Sequence, residues 1–340
     1  MLKLGVGGRR ERLVKGLGIF LLSLIAVVLC YCAFVVVLYR DLPVEELQQR
    51  YYPSSVSTAY VDGVSLRYTE QGQGPVVVLL HSHYFTMTMW DDWVAPLAEH
   101  FRVVRFDMTS HGLTGADPSG DYSMARSQQL LEGLLTHLQV DRLSIVGSSL
   151  GGNMAFTFSA HHPERVENLV LINSGGIKHS GNRSGKVPAW VDVVLYLMPR
   201  IAFDAFLKWM IFDDRLVDSD LVEEFHNGWR REGNRSAEMN RIRGFVRGDT
   251  AGDLGKVIAP VLLMWGQENP QLPYSLASEF KTLLAKSQRV QVSVYEGIGH
   301  VLPLEMPVQG ARDVLNFLLA ESQTLTLKDQ SLGEVLGVQP

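Results

Sequence analysis

Six short apolar runs in the outer three quarters of the chain constrain its fold more than any other feature. They are PVVVLL before His81, RVVRF before Asp107, LSIV before Gly147, LVLI before Asn173, PVLLMW before Gly266 and VQVSVY before Glu296. Runs this short and this apolar read as strands, most of them buried on both faces, and the intervals between them carry helical patterns. Asp121 or Ser123 can start the helix MARSQQLLEGLLTHL, and Leu150 to His161 reads as a helix directly after Gly147. Strand and helix in alternation predict an α/β fold with a mostly parallel central sheet covered on both sides. One interval breaks the rhythm: more than eighty residues separate Asn173 from Pro260 without a clear strand. It opens with SGGIKHSGNRSGK and continues through Trp190, Leu195, Leu197, Phe203, Phe206, Trp209 and Phe212. Such a length is unusual for a structureless loop, so residues 178–255 are expected to form a helical cap inserted into a domain spanning 58–320. No period is evident in the C-terminal tail, 321–340.

Gly16 to Tyr39 holds no charged residue. At about 1.5 Å per residue a helix of this length crosses a hydrocarbon layer of about 30 Å, so one transmembrane helix is expected over 16–39. A cleaved signal peptide fits less well, because the run is longer than a usual apolar signal core and no small-x-small site follows it before Arg40. Residues 1–15 carry Lys3, Arg9, Arg10, Arg12 and Lys15, while Arg40 is followed by Asp41, Glu45 and Glu46. The bias predicts a single-pass protein with a cytoplasmic N-terminus and the catalytic domain on the non-cytoplasmic side. Residues 40–57, with Pro43 and Pro53, read as a stalk. The formal charge is −5 overall but −10 beyond Arg40, which argues against nucleic acid as a partner. Both cysteines, Cys30 and Cys32, lie in the apolar run, leaving the outer domain without thiol ligands or disulfides.

The chemical signal is Gly147-Ser148-Ser149-Leu150-Gly151, set between a strand and a helix. A nucleophile on so sharp a turn needs small residues at both glycine positions, and the following helix N-terminus favours developing negative charge. No close His/Asp/Glu cluster suggests a metal site, and no cofactor is expected. Asn182-Arg183-Ser184 and Asn234-Arg235-Ser236 match the N-glycosylation pattern.

Six segments, in order, resemble the α/β-hydrolase family from about Thr58 to Ala320: LLHSHYFTMTMW, RFDMTSHGLTG, IVGSSLGG, HHPERVENLVLINSGG, LLMWGQENPQLP and YEGIGHVLPLEMP. The resemblance implies Ser149 as nucleophile and His300 as general base, with the backbone N–H groups of His83 and Leu150 as the oxyanion hole. His81 and His111 match positions that are structural in the family. Two departures stand out. Ser82 replaces a usual glycine, and Asn269 stands where the family has its aspartate, leaving Glu268 and Asn269 as alternative third members. Asp to Asn in a serine-protease triad lowers turnover about 10⁴-fold, so a bare Asn269 implies a slow enzyme.

The resemblance implies a serine hydrolase, foremost a carboxylic-ester hydrolase acting through an acyl-enzyme on a small ester with an apolar part. A carbon–carbon bond hydrolase of the same fold, or a non-catalytic binding or scaffold protein, is the alternative.

Overall fold

A computed structural model describes residues 6–52, 55–177, 188, 190–244 and 248–336, with side chains described between 14 and 321. Eight strands form one sheet: β1 (Ser57–Val61), β2 (Val64–Gln71), β3 (Val76–Leu80), β4 (Arg102–Phe106), β5 (Leu143–Ser148), β6 (Val166–Ile172), β7 (Val261–Gly266) and β8 (Val290–Tyr295). Their order is β1-β2-β4-β3-β5-β6-β7-β8. β2 is antiparallel to β1 and β4, and every other pairing is parallel. The six apolar runs are β3 to β8. Successive residues of the central strands face opposite cores: Ile145 and Leu263 pack in one cluster, Val146 and Met264 in the other. Burial of both faces is why the runs of β3, β6 and β7 are continuously apolar, whereas the edge strand β8, VQVSVY, alternates and is only partly buried.

The first hairpin lies outside the six runs because β1 and β2 mix exposed and buried positions at the sheet edge. Its turn is nevertheless written in the sequence. Asp62 and Gly63 both take positive φ, 44° and 84°, as expected of a tight two-residue turn between twisted antiparallel strands.

The helices, in chain order, are α1 (Val6–Leu38), α2 (Val44–Tyr51), α3 (Asp91–Ala98), α4 (Met124–His137), α5 (Leu150–His161), α6 (Trp190–Tyr196), α7 (Arg200–Met210), α8 (Ser219–Trp229), α9 (Asn234–Gly244), α10 (Thr250–Leu254), α11 (Ser275–Leu283), α12 (Leu302–Glu305) and α13 (Pro307–Leu336). The described part of the inserted cap is helical, α6 to α10, and 178–187 lie outside the described residues, Asn182 among them. The other glycosylation triplet is closed to modification in the fold. Asn234 is 2% exposed, and its Nδ2 donates to the Gly112 carbonyl at 3.2 Å and the Gly228 carbonyl at 3.0 Å.

The N-terminal helix α1 is a unit by itself, separate from the unit beginning at Leu42. Val14–Leu38 within it is, among the described residues, the one helix segment long and apolar enough to cross a membrane, a test that a signal sequence also passes.

The region expected to be a stalk is different. Leu42 and Leu47 are buried with Met87 and Leu113, and the segment between them becomes helix α2. Leu42 N–H donates to Arg230 O at 2.8 Å, and Glu232 N–H donates to Leu42 O at 2.9 Å. Farther along, Arg50 pairs with Glu223 at 2.7 Å, and Asn227 Nδ2 donates to the Tyr51 hydroxyl at 2.8 Å. The prolines suggested an extended linker, but Leu42, Val44 and Leu47 supply an apolar stripe that the cap and the loop after β3 bury. The tail also differs in its backbone, since α13 continues to Leu336.

With Leu47 only 2% exposed, Leu47→Ala should cost about 2–5 kcal/mol of stability. Denaturant titration of the full chain measures it, and a change below about 0.5 kcal/mol would mean that this segment is a loose stalk after all.

Candidate active site

The parallel pairing of β3 with β5, which sets Leu80 opposite Gly147, delivers the loop after β3 beside the end of β5. There Ser149 takes φ 53° and ψ −109°, a conformation costly for a side chain with a Cβ and held by its surroundings. Ser149 N–H donates to Ile172 O at 3.0 Å, and its carbonyl accepts from Gly175 N–H at 2.9 Å and Asn153 N–H at 3.1 Å. A Cβ on Gly147 would lie 2.2 Å from Gly151 O, and one on Gly151 would lie 2.2 Å from Leu80 O. Both glycines are thus dictated by backbone approaching backbone.

Two N–H groups flank this turn. Leu150 opens α5, where backbone donors have no intrahelical partner, and His83 lies in the loop after β3. Among the described residues neither N–H has an acceptor within the protein. Ser82 is tolerated because its φ is not in the left-handed region; Tyr84, at φ 68°, makes the turn instead. The Ser82 side chain is fully buried, with its hydroxyl on Ser148 Oγ at 2.8 Å. His81 is likewise built into the frame. Its Nε2 accepts from Met108 N–H at 2.9 Å and its Nδ1 lies 2.8 Å from Ser82 O.

His300, 1% exposed, follows β8. Its N–H donates to Met210 O at 2.7 Å, which ties the histidine loop to the end of α7. Glu305, a residue the sequence reading gave no role, grips the same loop: Oε2 accepts from Gly299 N–H at 2.7 Å and Oε1 from Val301 N–H at 2.9 Å. Asn173, at the end of β6, links three loop ends. Its Nδ2 donates to His300 O at 2.8 Å and Gly299 O at 3.2 Å, while its Oδ1 accepts from Gly266 N–H at 3.0 Å.

Of the two candidates for the third member, Asn269 touches the imidazole. Its Oδ1 lies 3.1 Å from His300 Nδ1 and also accepts from Gln271 N–H and Leu272 N–H, each at 3.0 Å. Those two backbone donors fix which end of the amide faces the ring, since the flipped amide would set N–H against N–H. Oδ1 therefore calls for a proton on Nδ1, which leaves Nε2 with its lone pair free. Glu268 is engaged elsewhere, its Oε2 accepting from Ile298 N–H at 3.1 Å. Burial, with His83 nearby, pushes His300 down to about 3. An amide offers no charge to counter that.

The cap contributes a cluster that the sequence could not reveal. Glu238 and Arg241 of α9 form a buried bidentate pair, Nε to Oε2 at 2.7 Å and Nη2 to Oε1 at 2.6 Å. Glu238 Oε1 also lies 2.5 Å from His83 Nε2, and Arg241 abuts the same ring nitrogen. Burial opposes the Glu238 charge, but His83 and Arg241 hold it ionised, well below the usual carboxylate range. Burial and Arg241 lower His83 to about 4. His111 is pushed down chiefly by burial, and its Nε2 has no partner among the described residues.

Donor atoms of His83, His111 and Glu238 lie within 4.8 Å of one another, so the fold gathers a potential cation site where no cluster was expected. The fit to a metal is poor. The Arg241 guanidinium already supplies the positive charge against both carboxylate oxygens, so the ion pair with its neutral histidines is complete and carries no net charge. Arg241 and Leu150 also line a cavity of about 60 Å³, with Met108, Tyr122, Asn153 and Phe156.

The sharp serine turn, its two open N–H groups and the buried histidine all lie at the C-terminal edge of the sheet. A sequence profile of the α/β-hydrolase family matches residues 77–313, and the chain belongs to that family. The 2-hydroxy-6-oxononadienedioate/2-hydroxy-6-oxononatrienedioate hydrolase of Paraburkholderia xenovorans is 28% identical over 278 residues, 75% of this chain and 91% of that protein. Among solved structures, a putative lipase from Acinetobacter baumannii superposes with a TM-score of 0.70 at 20% identity, covering 84% of this chain and 98% of the lipase. A bacterial membrane phospholipase A superposes with a TM-score of 0.68 at 23% identity, covering 92% of this chain and 99% of its own.

A base must be unprotonated, and with His300 at about 3 the wild type should lose no activity to protonation of this group between pH 8 and pH 5. Asn269→Asp adds a charge that favours the imidazolium. It should raise turnover at pH 8 tenfold or more and move the acid limb of kcat/KM to higher pH. Unchanged rate and an unchanged profile in that variant would mean that Asn269 is not the histidine's functional partner.

Proposed function

We propose that the chain is a carboxylic-ester hydrolase acting through an acyl-enzyme. Ser149 Oγ attacks the ester carbonyl while His300 Nε2 takes its proton, and the carbonyl oxygen gains negative charge against the N–H groups of His83 and Leu150. His300 then returns the proton to the departing alcohol. Water, deprotonated by the same nitrogen, attacks the acyl-serine, and the acid leaves as Ser149 regains its proton. Asn269 sets the tautomer of His300 without offsetting the charge it acquires, so turnover is slow. The observation that carries this reading is Ser149 in its left-handed turn beside two N–H groups with no protein acceptor.

Carbon–carbon bond hydrolysis is the second reading, favoured by the relative that acts on a hydroxy-oxo-dienedioate. Such substrates carry carboxylates, whereas the buried cation at this cavity is already neutralised by Glu238, which favours an uncharged substrate. Steady-state assays of p-nitrophenyl esters of graded chain length against a 2-hydroxy-6-oxo-dienoate separate the two. Ester turnover should dominate, and Ser149→Ala should lower it by at least about 10³-fold while the variant stays folded. Turnover of the dienoate alone would establish the second reading. A folded wild type that neither turns over either class nor is labelled by a fluorophosphonate would be a binding protein.

The proposal includes α1 as an anchor with its N-terminus in the cytoplasm, supported by the basic residues before the apolar run. Protease added outside cells should digest the domain and spare an N-terminal tag; digestion of the tag alone reverses the orientation.

A further inference from the structure

We infer that the outer face of the cap, on α6 and the start and end of α7, is a docking surface for the lipid bilayer that holds α1. This rests on the reading of α1 as an anchor. In α6 the apolar residues Trp190, Val193 and Val194 recur at the spacing that places them on one helical face, yet that face is not covered. α7 buries Phe203, Leu207 and Met210 but leaves Ile201 and Trp209 outside, with Phe212 just beyond its end. All six outward residues are between 51% and 75% exposed. Large apolar side chains left exposed in this number on the helices of one cap mark a partner, and tryptophan is the residue that favours the boundary between water and acyl chains.

What identifies the partner is the strap. α1 ends at Leu38, and Leu42 is already hydrogen-bonded to Arg230 and Glu232 of the cap. Four residues reach at most about 14 Å. From that attachment α6 is one side chain away, because Trp229 Nε1 donates to Leu195 O at 3.1 Å and Arg235 Nη1 donates to Tyr196 O at 2.7 Å. The covalent reach of this short segment alone keeps a bilayer that holds α1 within range of the cap surface that carries α6. The charges around the patch are paired, Lys208 with Asp204, Arg215 with Asp213 and Arg243 with Asp192. Apolar burial, not attraction to anionic lipid, holds the face down.

The test uses tryptophan as its own probe. The chain has six tryptophans and none in the apolar run of α1; Trp90, Trp93, Trp229 and Trp265 are buried, so Trp190 and Trp209 are the ones that lipid can reach. The full chain is reconstituted into phosphatidylcholine vesicles with ordinary or brominated acyl chains, insertion being checked by resistance to carbonate extraction. Bromination should quench part of the fluorescence, insensitive to salt, and Trp190→Tyr should remove most of that quenching and Trp209→Tyr the remainder. Equal fluorescence of the inserted chain in the two lipids overturns the inference, as does quenching that survives both substitutions. Crosslinking of two copies through Trp190 without quenching assigns the face to self-association instead. A Val193→Glu/Val194→Glu variant should lose several-fold in turnover of a vesicle-dissolved ester and keep its rate on a water-soluble one. Quenching without turnover of any ester by the wild type would leave the docking surface standing and remove the ester reading alone.

Discussion

The close approach of α5 to the ends of β3 and β5 is the constraint on which the site depends. It forces glycine at 147 and 151, pushes Ser149 into a left-handed conformation, and points the first free N–H of α5 across the turn. The pairing of β3 with β5 brings the loop after β3 to the same end of the sheet as Ser149, so the second open N–H belongs to a segment that is a neighbour in the sheet and distant in sequence. The strain at Ser149 persists because three backbone hydrogen bonds to β6 and its following loop and to α5 over-determine it.

On the histidine side of the site two neutral amides hold the ring and its backbone, and one carboxylate braces the loop. Asn173 and Asn269 stand at the ends of neighbouring strands, one holding the backbone of the histidine loop and the other its ring. Glu305 fixes the loop from the far side, with its charge spent on three backbone N–H groups, including that of Phe212. A carboxylate at 269 would add electrostatic support for the imidazolium. The amide instead leaves orientation without that support, and it leaves Nδ2 buried without a partner among the described residues. This arrangement favours a histidine that stays unprotonated and is poor at holding a proton.

The cap is joined to the catalytic loop by charge and to the N-terminal strap by packing. The Glu238–Arg241 pair reaches His83, so the cap and the loop after β3 share one buried network. Buried pairs of this sort hold a structure only while complete, since either charge alone would be costly to keep from water. On the opposite side α2 binds the cap through Arg50 and Tyr51. The N-terminal strap and the loop after β3 therefore both meet the cap on α8 and α9.

Local pattern was enough to determine the parallel strands, the helical nature of the insertion, and the serine turn, because each depends on residues adjacent in the chain. The hairpin of β1 and β2 was also written there, in Asp62-Gly63, but its mixed burial at a sheet edge hid it among polar neighbours. Choosing between Glu268 and Asn269 needed the fold. The two are adjacent, and only the turn through Gln271 and Leu272 decides which side chain meets His300. The strap at Leu42 and Leu47 and the cluster of His83, His111, Glu238 and Arg241 were likewise beyond sequence, since contacts across more than a hundred residues have no periodicity to read. The sequence by itself placed a serine on a sharp strand-to-helix turn and a histidine in a loop late in the chain; the tertiary structure decided their partners, because hydrogen-bond partners are set by which loop ends the sheet order brings together.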